Sequence, residues 1–348
     1  MRNLWFSQGI ANLLSQGDAE KAIDLSFASL KAAHSLRNTQ LYAAPEPYDD
    51  TLTTQALGLE FSSPLGLAAG YDKNATAIDA LADLGFAFVE IGTITAYEQS
   101  GSVKPRIFRL PEDQALINRT GFNNIGAKAV RKNLEQRALS SHHQKVKLGI
   151  NIGKSKQASI SETIEDLSIS IKNLAEFADY IVLNLDTLDS FQTEHLDAQA
   201  LLETLQTKAY ETAQRPVPFC LKLSPDMNND QLKELATIAC ENGIKGIFAT
   251  NPTAERPTLK TKADTLAEFG AGGLSGLPLA PRSLAVLKTL KAEIGTELDI
   301  VSVGGIQNAT DVVQRLEAGA SLVQGLTAMI FQGSQWAQTV NTELKNLL

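Results

Sequence analysis

The chain has 348 residues, 43% of them hydrophobic and 20% charged, with a formal net charge of -8. That length is ample for a large buried core, and the acidic balance argues against a nucleic-acid partner, which would call for a basic patch. Cys220, Cys240, His34, His142, His143 and His195 show no ligand spacing, so no metal site is expected; no run of about 18 apolar residues predicts a membrane span, and the N-terminus lacks the pattern of a secretory leader.

Residues 1–40 read as an amphipathic helical extension. In "NLWFSQGIANLLSQ", Leu4, Trp5, Ile10, Leu13 and Leu14 fall near one helical face. In "DAEKAIDLSFASLKAAH", Asp18 is placed to cap a second helix whose apolar stripe is Ala22, Ile23, Leu25, Phe27 and Leu30. These helices either pad the wall of the main domain or form a small unit at a membrane interface that admits an apolar ligand. Arg2, Lys21, Lys31 and Arg37 outnumber the acids here, which favours an anionic lipid surface.

From residue 64, apolar runs alternate with amphipathic segments. Strands are predicted at 64–70, 86–92, 145–153, 180–185, 217–224, 246–251, 298–305 and 320–325, each followed by a helical pattern. Such alternation demands parallel strands, because each helix returns the chain to the same edge. Eight units fit a (β/α)8 TIM barrel spanning 41–348, with a doubly wound open sheet as the competing arrangement. In a barrel the functional residues lie at the C-terminal ends of the strands.

The predicted strand ends carry Ala68, Ala69, Gly70 and Lys73; Thr93; Asn151; Asn184; Lys222; then Thr250 and Asn251. Small residues let a flat ligand approach the backbone. Lys222 shares a face with Cys220, two residues earlier. Pointing inward, it would be a costly buried cation unless a salt bridge or a partly anionic ligand met it. Three glycine-rich stretches follow, "GAGGLSG" (270–276), "VGGI" (303–306) and "QGLTA" (324–328). They mark a phosphate-binding end, with Gly304, Gly305, Gly325 and Thr327 around the anion. The sum suits flavin mononucleotide, with Lys222 near the ring edge that gains negative charge. An insertion after the second strand holds "KPRIFRL" and "LINRTGFNNIG"; there Asn118, Asn123 and Asn124 crowd Phe122, which suits recognition of an imide or amide substrate or, alternatively, an Asn-rich turn that satisfies its own backbone.

The motifs "SPLGLAAGYDK", "EIGTIT", "KPRIFRL", "INRTGFNN", "GINIGK", "LKLSPD", "FATN", "GGLSGLPL", "SVGGI" and "GASLVQ" resemble dihydroorotate dehydrogenase over nearly the whole chain. The N-terminal helices and the long insertion make the chain similar to the membrane-associated, quinone-using class. The resemblance implies oxidation of dihydroorotate to orotate in pyrimidine synthesis, with quinone as electron acceptor. It also implies a cytoplasmic location with peripheral contact to the inner (cell) membrane. By match, Ala68, Ala69, Gly70, Thr93, Asn151, Asn184, Lys222, Thr250, Gly276, Gly305 and Thr327 would hold the flavin. Lys73, Asn118, Gly121, Phe122, Asn184, Asp189 and Asn251 would hold the substrate, and Arg106 would stand near the quinone entrance. Thr187 falls where this class carries its catalytic serine.

The loop after Asn184 departs from the family pattern Asn-x-Ser-Ser-Pro-Asn-Thr-x-Gly. Thr187 replaces the serine base, Asp189 the substrate-binding asparagine, and the proline and glycine are absent. Pro252 stands where a threonine is usual, Leu326-Thr327 where Tyr-Ser is usual, and Ile23 where a histidine is common. Two readings therefore stand at this point. One is a quinone-linked dihydroorotate dehydrogenase with a divergent lid. The other is a paralogous flavin barrel with another substrate or without dihydroorotate turnover.

Overall fold

The computed structural model describes residues 19–36, 50–139, 146–188 and 197–348. The helix expected over "NLWFSQGIANLLSQ", its successor's expected cap Asp18, and Asp189 lie outside the described residues.

Eight parallel strands close into a barrel, as the alternation predicts. They are β3 (Leu65–Leu67), β4 (Phe88–Ile94), β7 (Lys147–Ile152), β8 (Tyr180–Asn184), β9 (Phe219–Leu223), β10 (Gly246–Ala249), β12 (Asp299–Val303) and β13 (Leu322–Gly325), with β13 pairing back to β3. The hairpin β1 (Thr54–Ala56) and β2 (Leu59–Phe61) precedes them. Strands β5 (Ile107–Leu110), β6 (Ala115–Asn118) and β11 (Gly273–Gly276) form a separate antiparallel sheet. Part of the glycine-rich stretch "GAGGLSG" is thus a strand rather than an open loop. Gly273 to Gly276 are paired with Asn118 to Ala115, and the glycines admit the close approach: a Cβ on Gly276 would lie 2.3 Å from the Gln114 carbonyl oxygen.

Outside the barrel lie α1 (Ala19–Ser35), α2 (Ile78–Ala82), α3 (Ala127–Ala138), α4 (Thr163–Leu174), α5 (Ala198–Ala213), α6 (Asn229–Glu241), α7 (Ala263–Phe269), α8 (Ala280–Ile294), α9 (Ala309–Glu317), α10 (Thr327–Gln332) and α11 (Trp336–Leu344). Several begin on local side-chain caps. Asp197 accepts from Ala200 N–H, while Asn228 with Gln231 and Asn308 with Asp311 form reciprocal capping boxes. Each satisfies first-turn donors that the helix itself cannot.

The barrel floor is aromatic. Phe61, Phe88, Tyr180 and Phe248 are buried together, with Phe61 edge-on to Phe88 at 5.1 Å and Tyr180 stacked on Phe248 at 5.7 Å. Gly149 makes room for the Tyr180 ring, which a Cβ there would meet at 2.2 Å. With that end plugged, the opposite end, at the strands' C-termini, is left for ligands. Helix α1 packs beside the barrel through Leu30, Ile23 and Phe27, and Phe27 lies 5.6 Å from the Tyr71 ring. Leu25, expected on the same stripe, is 51% exposed, because it sits on the face of α1 turned from the barrel.

Candidate active site

A cavity of about 420 Å³ opens at the C-terminal strand ends. Of the residues singled out from sequence, Ala68, Ala69, Gly70, Lys73, Thr93, Asn118, Phe122, Asn184, Lys222, Thr250, Asn251, Gly276, Gly305 and Thr327 line it. Asn151, Gly121, Thr187 and Arg106 are not part of that lining, and each has another position described below.

Beneath the cavity stands Glu90, fully buried on β4 two residues beyond Phe88 and so on the same inward face. Its carboxylate accepts from three strands: Asn151 Nδ2 at 2.8 Å, Gln324 Nε2 at 2.8 Å and Lys222 Nζ at 3.3 Å. The inward cation expected at Lys222 thus has a carboxylate counter-ion, which the sequence analysis did not identify. Lys222 and Gln324 also face the cavity, so the network forms its floor. Asn151 turns its amide nitrogen to Glu90 and leaves Oδ1, buried, without a partner among the described residues.

Across the cavity mouth, from the end of β10 through β8 to β4, the side chains form a relay of hydrogen bonds. Asn251 Nδ2 donates to Asn184 Oδ1 at 2.8 Å, and Asn184 Nδ2 donates to Thr93 Oγ1 at 3.0 Å. Each amide is thereby fixed in orientation. Thr187 is buried behind this relay: its hydroxyl donates to the Asn184 carbonyl at 2.7 Å and accepts Lys154 N–H at 3.0 Å. Its neighbour Asp186, one edge of which is exposed, has its carboxyl pushed up to about 6 by the protein around it. A hydrogen bond with Asn251 and the Lys222 charge oppose that push.

On the other side, Asp72 is buried and accepts the N–H groups of Asn74, Thr76 and Ala77. It shapes the turn that presents Lys73, whose Nζ donates to Asn123 Oδ1 at 2.6 Å. Removal from water, aided by repulsion from Arg106, brings the Lys73 ammonium down to about 8, against attraction from Glu20 and Asp24 of α1. A cation that titrates there should hold an anionic ligand best below pH 8. The affinity for a carboxylate ligand is expected to fall as pH rises through about 8, and Lys73→Met should abolish that dependence in a ligand titration. A pH profile identical in the variant would remove Lys73 from the anion site.

Arg106 lies apart from both cavities. It is buried, with Nη2 donating to Glu20 Oε1 at 2.8 Å and Nη1 to the carbonyls of Ser100 and Ser102. It fastens α1 to the insertion. Gly121 belongs to the same turn, where a Cβ would meet Ser102 Oγ at 2.7 Å. The arginine that sequence reading missed is Arg109. It lines a second, smaller cavity of about 60 Å³ with Ile23, Ser26 and Leu30 of α1 and with Leu116, Met329 and Ile330. Its guanidinium lies 4.8 Å over the Phe331 ring, and burial lowers its pKa. The only sequence signal separating the two arginines is their odd spacing, which sends them to opposite faces of an extended segment. Tyr71 and Ser26, joined at 2.7 Å between hydroxyl oxygens, also line this cavity.

The third wall is glycine-rich, with Gly304, Gly305, Gly325 and Thr327. Gly305 has φ +77°, and a Cβ on it would lie 2.4 Å from Ala280 Cα, so only glycine fits the approach to α8. Thr327 Oγ1 donates to Ser275 Oγ at 3.0 Å.

The described residues suit a flat phosphorylated ring. Lys222 and Gln324 form the floor and Gly304, Gly305 and Gly325 a glycine wall, while behind the floor Asn151 keeps a buried acceptor unmet among the described residues. A family model described as dihydroorotate dehydrogenase matches residues 51–348. A protein of Arthrobacter sp. (strain FB24) named dihydroorotate dehydrogenase (quinone) is 43% identical over 338 residues, 94% of each chain. One of the same name from Kineococcus radiotolerans is 43% identical over 345 residues, covering 96% of this chain and 93% of that one. The crystal structure of an Eimeria tenella DHODH in complex with ferulenol superposes with a TM-score of 0.81 at 32% identity, covering 92% of this chain and 90% of the other.

Proposed function

Because this chain belongs to the dihydroorotate dehydrogenase family, with relatives named for the quinone-dependent class, we propose that it oxidises dihydroorotate to orotate on flavin mononucleotide and passes the electrons to a quinone. Two hydrogens leave adjacent ring carbons, one as hydride and one as proton, and the quinone ends as quinol, so the step serves pyrimidine synthesis. The observation that carries this reading is the convergence of Lys222, the Asn184–Asn251 amides and Lys73 on one cavity at the strand ends.

When bound, the flavin supplies the two-electron acceptor. The chain's own residues do the rest. Lys222 would hold a cation at the floor against the edge of the flavin that gains negative charge on reduction. Lys73 faces the substrate carboxylate, and Asn118, Asn184 and Asn251 meet its imide edges, the last two in the orientations their mutual hydrogen bonds impose. Thr187 is the candidate proton acceptor. The quinone approaches through the smaller cavity under α1, whose apolar walls suit its ring and whose Arg109 and Tyr71 suit its carbonyl oxygens. Peripheral membrane contact through the N-terminal region fits exposed Leu25 and Leu36 on and beside α1; among the described residues no helix is long and apolar enough to cross a membrane.

The test is a two-step titration of the purified flavoprotein without oxygen. Dihydroorotate is expected to bleach the flavin, and a soluble quinone to restore it. Bound flavin that dithionite bleaches but dihydroorotate does not would reject the substrate. Flavin bleached by dihydroorotate yet reoxidised only by oxygen would reject the quinone.

A further inference from the structure

Arg315, on α9, is 1% exposed, the largest side chain buried to that degree. A guanidinium in such a place ordinarily has a carboxylate beside it, because an unpaired buried charge is costly. Among the described residues, Arg315 instead donates only to neutral oxygens: Nη1 to Ser283 Oγ at 2.9 Å and Ser302 Oγ at 3.3 Å, Nη2 to the Ala280 carbonyl at 2.9 Å and the Gly304 carbonyl at 3.3 Å. The acid that acts on it, Asp311, does so from a distance and spends its own carboxylate on the N–H groups of Gln307 and Asn308. Removal from water lowers the guanidinium to about 10.

The placement supplies a reason. Gly304 and Gly305 line the large cavity. The Gly304 carbonyl is drawn outward by Arg315 and by Ser283 Oγ, which donates to it at 2.8 Å. In a trans peptide the N–H of the next residue points the opposite way, so holding that carbonyl outward aims the Gly305 N–H at the cavity. The cation sits directly behind that peptide, with only neutral groups between.

We propose that Arg315 is the buried counter-charge of the phosphate monoester held at the Gly304–Gly305 wall, acting through the Gly304 peptide as a positioning residue. This rests on the flavin mononucleotide reading above. The charge then has its partner only in the loaded protein, which also makes the site prefer a phosphorylated flavin over the same ring without its phosphate.

The experiment compares flavin mononucleotide with riboflavin, titrated by fluorescence into the full chain after flavin removal. Arg315→Met, which fills similar space without charge, is expected to weaken flavin mononucleotide binding at least about tenfold, or about 1.4 kcal/mol, and to leave riboflavin binding unchanged. Arg315→Lys, which keeps the charge but not the fork, should keep the preference. Equal weakening of both flavins in Arg315→Met, or no change in either, overturns the proposal. Should Arg315→Met not fold, Arg315→Lys decides: a retained preference supports the charge, and its loss overturns it. A wild-type chain that binds neither flavin sinks the proposed function, and this inference with it; flavin binding that ignores Arg315 sinks the inference alone.

Discussion

Lys222→Met is expected to purify without flavin and to be less stable than the wild type by about 3–5 kcal/mol, the usual cost of breaking one side of a buried ion pair. The loss does not come from the attraction between Lys222 and Glu90 as such. Both groups are buried, Lys222 at 4% exposure and Glu90 at 0%. Removing the cation leaves Glu90 with two amide donors, Asn151 and Gln324, and no positive charge. Replacing the second partner as well should reverse much of the damage, because a neutral pair has no orphaned charge to bury. Lys222→Met with Glu90→Gln is therefore expected to recover most of the unfolding free energy, measured by urea denaturation, while still failing to hold flavin. A single variant that keeps wild-type flavin occupancy would show that Lys222 serves only the barrel interior.

Thr187→Val is expected to bind flavin normally and to lose dihydroorotate oxidation by about 10²–10⁴-fold, the usual contribution of a positioned proton acceptor. The shape is kept, but the hydroxyl that bridges Asn184 and Lys154 is gone. Thr187→Ser keeps the oxygen and removes the methyl, which packs close to Gly153; a Cβ there would lie 2.6 Å from it. Since a β-branched side chain is held to few rotamers, the serine should turn toward substrate more readily, and turnover should match or exceed the wild type. Rapid reduction of the flavin by substrate measures both. An unchanged rate in Thr187→Val would move the proton acceptor elsewhere, with Asp186 next to be tested. A reduction rate that rises through pH 6 and loses that step in Asp186→Asn would identify it, because its carboxyl is ready to take a proton only above about 6.

These two predictions divide between what could be read along the chain and what could not. The barrel was legible because its cause is local: each strand is an apolar run, each helix an amphipathic one, and the alternation forces parallel pairing. The strand-end rule puts Ala68, Lys73, Thr93, Asn184, Lys222 and Asn251 at one end of the barrel, where they line one cavity. The glycine runs were harder to read. Gly304 and Gly305 reach the cavity from a loop, while Gly276 reaches it from the end of a strand whose partner lies more than 150 residues earlier.

The sequence by itself determined the eightfold alternation and the set of polar groups at the strand ends, since both follow from periods of two and 3.6 residues along the chain. Only the tertiary structure decided which charges are paired. Glu90 meets Lys222 across 132 residues, Arg106 spends itself on Glu20 while Arg109 faces the cavity under α1, and Arg315 is buried against carbonyls rather than turned to solvent. The physical reason is that burial and counter-charge are properties of what folds against a residue, and closing the barrel brings together side chains whose separation along the chain carries no signal of their meeting.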